Sequence, residues 1–164
     1  MHLRAATEAD LPAITAIYNA TIPSRLVTAD TAPVSLESRR TWFAQHRASQ
    51  RPVWVLDEAG TIAAWLSFDA FFPRDAYDGT AMIAVYVAET HRRRGLGKQL
   101  VNAAIRHAHT RGLHTLLGYI FAHNEPSLRL FEQLGFARWG HLPQVAVLDG
   151  VNRDLIILGR RVAE

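Results

Sequence analysis

Leu11, Ile14, Ile17 and Tyr18 recur at three- and four-residue spacing, which predicts an amphipathic helix. Thr7, with Asp10 three residues on, supplies a capping-box start for it, and residues 3–5 read as a short strand before the cap. A second helix is expected after Pro33, starting near Ser35 and burying Leu36, Trp42 and Phe43. Residues 52–56 and 61–68 are apolar runs either side of Asp57-Glu58-Ala59-Gly60, the pattern of a hairpin. Residues 71–79 read as a loop, and 81–87 as a strand with so few polar positions that it belongs in the middle of a sheet. Leu96, Leu100, Ala104 and Ala108 repeat every four residues in a helix that Gly95 begins and Gly112 ends. A buried strand at 115–121 precedes a helix capped by Asn124, with Pro126 in its first turn and Gly135 at its end. Two closing strands, 137–148 and 154–158, flank the Asp149-Gly150 turn. The order is strand, two helices, three strands, helix, strand, helix, two strands, a mixed α/β fold with helices on both faces of one sheet.

The 164 residues, 49% hydrophobic and 20% charged, suit one soluble domain spanning 1–164. The first residues lack the basic start and apolar run of a signal peptide, and no apolar stretch reaches the roughly 20 residues of a membrane span. A cytoplasmic protein is expected. The absence of cysteine removes disulfides, thiolate metal sites and a cysteine acyl-enzyme route. The net charge of +3 concentrates at Arg92, Arg93, Arg94 and Lys98, a cluster broken by two glycines. It lacks the interleaved aromatics of single-strand nucleic-acid binders, so a compact anion site is expected instead.

That cluster carries the most chemistry. Residues 92–98 read Arg-Arg-Arg-Gly-Leu-Gly-Lys between a strand and a helix. A helix start offers unpaired amides and partial positive charge to a pyrophosphate, and glycines let the backbone approach it. Alone, the same run reads as a solvated helix start. Other residues have plain readings too. His107 and His109 sit two apart on a helix and point different ways, and no His-Glu-x-x-His pattern occurs, so no metal site is expected. Tyr86 and Tyr119 suit a core, Trp42 and Trp54 suit packing, and Asn124 is explained as a helix cap.

The spacing Arg92-x-x-Gly95-x-Gly97, followed by Asn124-x-x-Ser127-x-x-x-Phe131 and Leu134-Gly135-Phe136, resembles the acetyl-CoA signatures of the GNAT acetyltransferases. Ile17-Tyr18-Asn19, Thr28-Ala29-Asp30, Trp42-Phe43, Arg51-Pro52-Val53, Arg74-Asp75-Ala76-Tyr77, Val85-Tyr86-Val87 and Arg153-Asp154-Leu155 extend the likeness to the phosphinothricin N-acetyltransferase-like branch over nearly the whole chain. The resemblance implies a mostly antiparallel sheet whose two central strands, 83–87 and the one before Asn124, splay into a V. Pantetheine would then pair with the exposed strand as an added strand would. It implies that acetyl-CoA is held by Val85, Tyr86, Val87, Arg92, Arg93, Arg94, Gly95, Leu96, Gly97, Lys98, Gln99, Asn124 and Ser127. It places Arg74, Asp75, Ala76, Tyr77 and Asn124 toward a small amino-acid-like amine of the phosphinothricin, methionine sulfoximine or methionine sulfone type. It also implies a homodimer.

Two positions depart from the branch. Where many relatives carry a glutamate base this chain has Met82, and where many carry a histidine it has Phe131. A neutral amine can attack a thioester without that base, at a cost of about 10²–10⁴-fold in rate. His123, Asp75 and Asp69 are the possible substitutes. The alternatives are a peptide or protein N-terminal acetyltransferase, which needs an open groove, and a non-catalytic acyl-CoA-binding module.

Overall fold

In the computed structural model, which describes residues 1–49 and 51–162, strand and helix follow one another in the order the hydrophobic pattern dictates. The last two residues of the expected domain lie outside the described residues. The strands are β1 (His2–Ala5), β2 (Val53–Glu58), β3 (Thr61–Ala70), β4 (Thr80–Val87), β5 (Thr115–Phe121), β6 (Ala137–Leu148) and β7 (Val151–Arg161). The helices are α1 (Leu11–Thr21), α2 (Leu36–Ala48), α3 (Leu96–Thr110) and α4 (Glu125–Gln133).

The seven strands form one sheet in the order β1-β2-β3-β4-β5-β7-β6. Every neighbouring pair is antiparallel except β4 with β5, and that parallel pair is short: only Thr80–Met82 opposite Thr115–Leu117. Beyond Met82 the two strands part, which is the expected V.

Strand alternation sorts the side chains to two cores. Leu66 and Phe68 of β3 and Leu56 of β2 face α3 and α4, packing with Leu100, Ala104 and Phe131. Trp65 of β3 and Val53 and Val55 of β2 face α1 and α2, packing with Ile14, Tyr18 and Phe43. On that second face Trp65, Ser67 and Asp69 follow one another along β3, paired with Tyr86, Ala84 and Met82 of β4.

Local signals explain the boundaries. Thr7 and Asp10 form the capping box before α1, and Arg4 bridges Asp10 and Asp57 at 2.7 and 2.9 Å, tying that corner to β2. Ala59 and Gly60 both have positive φ, which gives the β2–β3 hairpin a turn matched to strand twist.

Three expectations change. Helix α2 buries Arg39, Phe43 and His46 and leaves Leu36 and Trp42 half-buried. The closing strand expected at 154–158 runs Val151–Arg161, because β7 lies between β5 and β6 and is paired on both sides. Within the expected loop 71–79, Asp75–Tyr77 close a single 3₁₀ turn. Among the described residues no helix is long and apolar enough to cross a membrane.

Candidate active site

The V between β4 and β5 opens into a cavity of about 560 Å³. Val85, Tyr86 and Val87 of β4 form one wall, the turn before α3 a second, and Asn124, Ser127 and Phe131 of the α4 segment a third. In that turn Arg93 and Gly95 take positive φ, and Gly95 sits at the N-cap of α3 with no side chain capping it. The first amides of α3 are therefore free for a ligand, unlike those of α2 and α4, where Ser35 and Asn124 accept from the backbone. Gly97 marks the tightest point: a Cβ there would lie 3.1 Å from Leu130 Cδ2 and 3.9 Å from Val85 Cγ1. Free amides, a backbone bare of side chain and the Arg92, Arg93 and Lys98 charges fit a nucleotide pyrophosphate.

On the other face of the sheet, under α1 and α2, lies a chamber of about 370 Å³. Its walls are aromatic: Trp65 and Tyr86 stack at 4.3 Å, with Tyr18 at 5.1 Å from Tyr86 and Trp42 at 5.7 Å from Trp65. Arg39 is only 8% exposed, its guanidinium 4.4 and 4.6 Å from the Tyr18 and Trp42 ring centroids. Among the described residues it has no carboxylate partner, and Arg39 Nε and Trp65 Nε1 are buried without an acceptor. A guanidinium held this way, without a carboxylate beside it, suits an anionic oxygen ligand. Asp30, Ser67 and Asp69 supply the remaining polarity. Burial, with Tyr18 beside it, pushes the Tyr86 hydroxyl up, so it stays neutral. Tyr86 lines both the chamber and the cavity, so the two spaces share that residue of β4.

The residues named from sequence fall into distinct places. Val85, Tyr86, Val87, Arg92, Arg93, Gly95, Leu96, Gly97, Lys98, Asn124 and Ser127 all line the cavity. Arg94 and Gln99 do not. Arg94 turns to Glu58, bonding it at 2.6 and 3.1 Å and holding that carboxyl down to about 2. His91 joins the same carboxylate at 3.2 Å, so Arg94 anchors the turn to β2. Gln99 is exposed, and its amide already bonds Gly95 within the helix. Phe131 fills the histidine position as a buried wall residue against Phe136, over Gly118, where a Cβ would meet its ring at 2.8 Å. Arg74, Asp75, Ala76 and Tyr77 occupy the exposed turn joining the ends of β3 and β4, and line neither space. His123 Nε2 contacts the Arg25 carbonyl at 2.7 Å, tying the end of β5 to the segment after α1.

Sequence reasoning did not single out Arg39 or His46. A signal was present: with Phe43 they fall at four- and three-residue spacing, on the buried face of α2.

A splayed parallel pair, an uncapped glycine-rich helix start in the splay and a second chamber across the sheet define an acyl-CoA-dependent transferase. The chain belongs to the Acetyltransferase (GNAT) family, whose model matches residues 14–136. It is an acetyl-CoA-dependent N-acetyltransferase. A Bacillus subtilis protein whose name proposes phosphinothricin acetyltransferase activity is 49% identical over 164 residues, 99% of this chain and all of its own length. The L-methionine sulfoximine/L-methionine sulfone acetyltransferase of Pseudomonas aeruginosa is 35% identical over 157 residues, 95% of this chain and 91% of its own. The crystal structure of a Sinorhizobium meliloti phosphinothricin acetyltransferase in complex with acetyl-CoA superposes with a TM-score of 0.94 at 26% identity, covering 99% of this chain and 89% of that one.

Proposed function

We propose that the chain acetylates the α-amine of a small amino-acid-like acceptor held in the aromatic chamber, with acetyl-CoA entering from the opposite face. The carrying observation is the Arg39 guanidinium, buried among rings and without a carboxylate partner among the described residues, in a chamber that shares Tyr86 with the cofactor cavity. The relatives' named acceptors are phosphinothricin, methionine sulfoximine and methionine sulfone. Each combines an amine with a carboxylate, the group a guanidinium would bind, and further oxygens on phosphorus or sulfur.

In this reading the amides at the start of α3, with Arg92, Arg93 and Lys98, hold the pyrophosphate. The β5-facing edge of 83–87 accepts the pantetheine as an added strand. Acetyl-CoA supplies an activated acyl carbon. Arg39 takes the acceptor's carboxylate, its guanidinium pre-set between two rings. The Arg74–Tyr77 turn, beyond the Asp69–Met82 pair, is the segment placed to cover the acceptor's outer end.

We infer further that the whole chain is one domain, supported by a single sheet running from β1 to β7. A homodimer is supported by the exposed apolar residues of the β6–β7 hairpin, among them Trp139, Val145 and Val147, the last 62% exposed. We propose a cytoplasmic setting as well, in keeping with an acetyl-CoA-dependent activity on a small amine.

The test is thiol release from acetyl-CoA with methionine sulfone, phosphinothricin, a decarboxylated analogue and an alanine-terminated peptide. Release with the first two, and little with the others, is expected. Release with the peptide alone, or binding of acetyl-CoA without release for any amine, would overturn the reading.

A further inference from the structure

The glutamate that many relatives place at position 82 is absent, yet the face it would serve does not lack a carboxylate. Asp69 is the cross-strand partner of Met82, one strand over on β3. Directly opposed residues of an antiparallel pair carry their side chains to the same face, with Cβ atoms about 4.5–5.5 Å apart. Asp69 lines the chamber, as does Ala84, two residues along β4 from Met82.

Behind Asp69 stands His46 of α2. Its Nε2 lies 2.9 Å from Asp69 Oδ1 and its Nδ1 2.9 Å from the Trp42 carbonyl oxygen, while Ser67 Oγ donates to Asp69 Oδ2 at 2.8 Å. A carbonyl oxygen can only accept, so Nδ1 carries a proton. A neutral imidazole then turns the Nε2 lone pair toward a carboxylate oxygen that also carries lone pairs. That contact is satisfied only when one more proton sits in it. The pair is therefore built to take up a single proton, and His46, buried against Trp42 at 4.3 Å between ring centroids, is held in place to receive it.

We propose that Asp69 and His46 are the proton acceptor of this acetyltransferase, Asp69 touching the acceptor's amine and His46 holding the proton. The proposal rests on the chamber being the acceptor site. The ammonium group of the acceptor gives one proton to the Asp69–His46 contact. The freed nitrogen lone pair attacks the thioester carbonyl carbon. The C–N bond forms, the C–S bond breaks with its electrons on sulfur, and the second proton from nitrogen goes to that sulfur. The products are the N-acetyl compound and the CoA thiol, and the pair returns its proton to water once the chamber empties. Arg39 of α2, Tyr18 of α1, Tyr86 of β4 and Asp30 also face this chamber. Burial opposes protonation of His46, and Arg39 does so more weakly; the Asp69 hydrogen bond and charge, with the Trp42 carbonyl, outweigh both and leave the His46 pKa raised.

Three variants test the relay: Asp69→Asn, His46→Gln and the double variant Asp69→Asn/Met82→Glu, each checked by melting temperature and acetyl-CoA affinity. With methionine sulfone at pH 7, Asp69→Asn is expected to lose about 10²–10⁴-fold in kcat with acetyl-CoA affinity unchanged. His46→Gln, which leaves β3 untouched, should move the acid limb of the pH–rate profile down by about one unit or more, since the remaining carboxylate is the weaker base. The double variant should regain at least about tenfold over Asp69→Asn, because the new carboxylate projects from the paired position. Turnover of Asp69→Asn within about threefold of the parent, far inside the range of general-base effects, overturns the relay alone. An unmoved acid limb in His46→Gln does the same. A parent enzyme that releases no thiol with any amine overturns the acetyl-transfer reading and the relay together.

Discussion

Arg39 and Arg74 divide the question of how an acceptor is held at the scale of single residues. Arg39 is buried between rings without a partner among the described residues, whereas Arg74 stands on an exposed turn. A charged hydrogen bond contributes about 1.5–3 kcal/mol. Arg39→Met, which keeps the stem's packing, should therefore raise KM for a carboxylate-bearing amine roughly ten- to a hundredfold and leave a decarboxylated analogue nearly unaffected. Arg74→Ala should act on the same substrates by less, through the turn's position. Steady-state kinetics with the paired substrates decides it, and equal effects of Arg39→Met on both would make Arg39 a packing residue. At Met82 the neighbouring Asp69 adds a like charge to any new carboxylate. In Met82→Glu, desolvation and Asp69 both push the introduced carboxyl's pKa up, which suits a base near neutral pH. Its kcat should rise more at pH 7 than at pH 9, where more of the amine is already neutral, and a flat response across that range would mean that the introduced carboxylate takes no proton.

Two elements carry testable consequences of their own. The start of α3 leaves its amides open because its backbone is bare. In Gly97→Val the added methyls press on Leu130, whose Cδ2 a Cβ would already approach to 3.1 Å, and occupy the phosphate approach. Pushing a phosphate off even one backbone amide loses a charged hydrogen bond of about 1.5–3 kcal/mol, so calorimetry should show acetyl-CoA affinity weakened about tenfold or more. Unchanged affinity would move the pyrophosphate elsewhere. Helix α2 is held to β3 through the His46–Asp69 contact at 2.9 Å. Because the folded pKa of His46 is raised above its unfolded value near 6.5, the stability from this contact is complete below about pH 6.5 and fades as pH rises through the folded pKa. The melting temperature of the parent should fall over that window, and that of His46→Gln should not share the step. The corner of β1 and α1 behaves oppositely. Arg4, and then the Thr7 amide and hydroxyl, hold Asp10 down to about 2, so its contribution is full above about 3.8 and is lost as pH falls toward 2. Arg4→Ala should raise the pH of acid unfolding.

Across the whole molecule, local punctuation made the architecture legible. Thr7, Ser35, Asn124, Gly112 and Gly135 mark the helix ends, and the apolar run 81–87 placed β4 centrally, where it lies between β3 and β5. Most of the β4–β5 cavity was legible for the same reason: it is built from the end of β4, one continuous turn, 91–98, and the start of α4, while its 21–27 wall was not read. The aromatic chamber was not, because its groups come from five segments, α1, the 30–34 loop, α2, β3 and β4, and meet only through strand register and the packing of α2 on β3. Arg39 and His46 read as surface polar residues until Phe43 shows which face of α2 is inward. If the exposed Val147 of the β6–β7 hairpin is in a dimer contact, Val147→Lys should shift the sedimenting species to monomer; an unchanged sedimentation coefficient would take Val147 out of that contact. The most direct test of acetyl transfer across the Tyr86 junction is mass spectrometry of the product formed from acetyl-CoA and methionine sulfone. An acetyl group on the α-nitrogen, formed by the parent enzyme and sharply reduced in Arg39→Met and Asp69→Asn, is the expected result. Acetyl-CoA bound in the β4–β5 cavity with no acetylated amine from any amino-acid-like acceptor would contradict it.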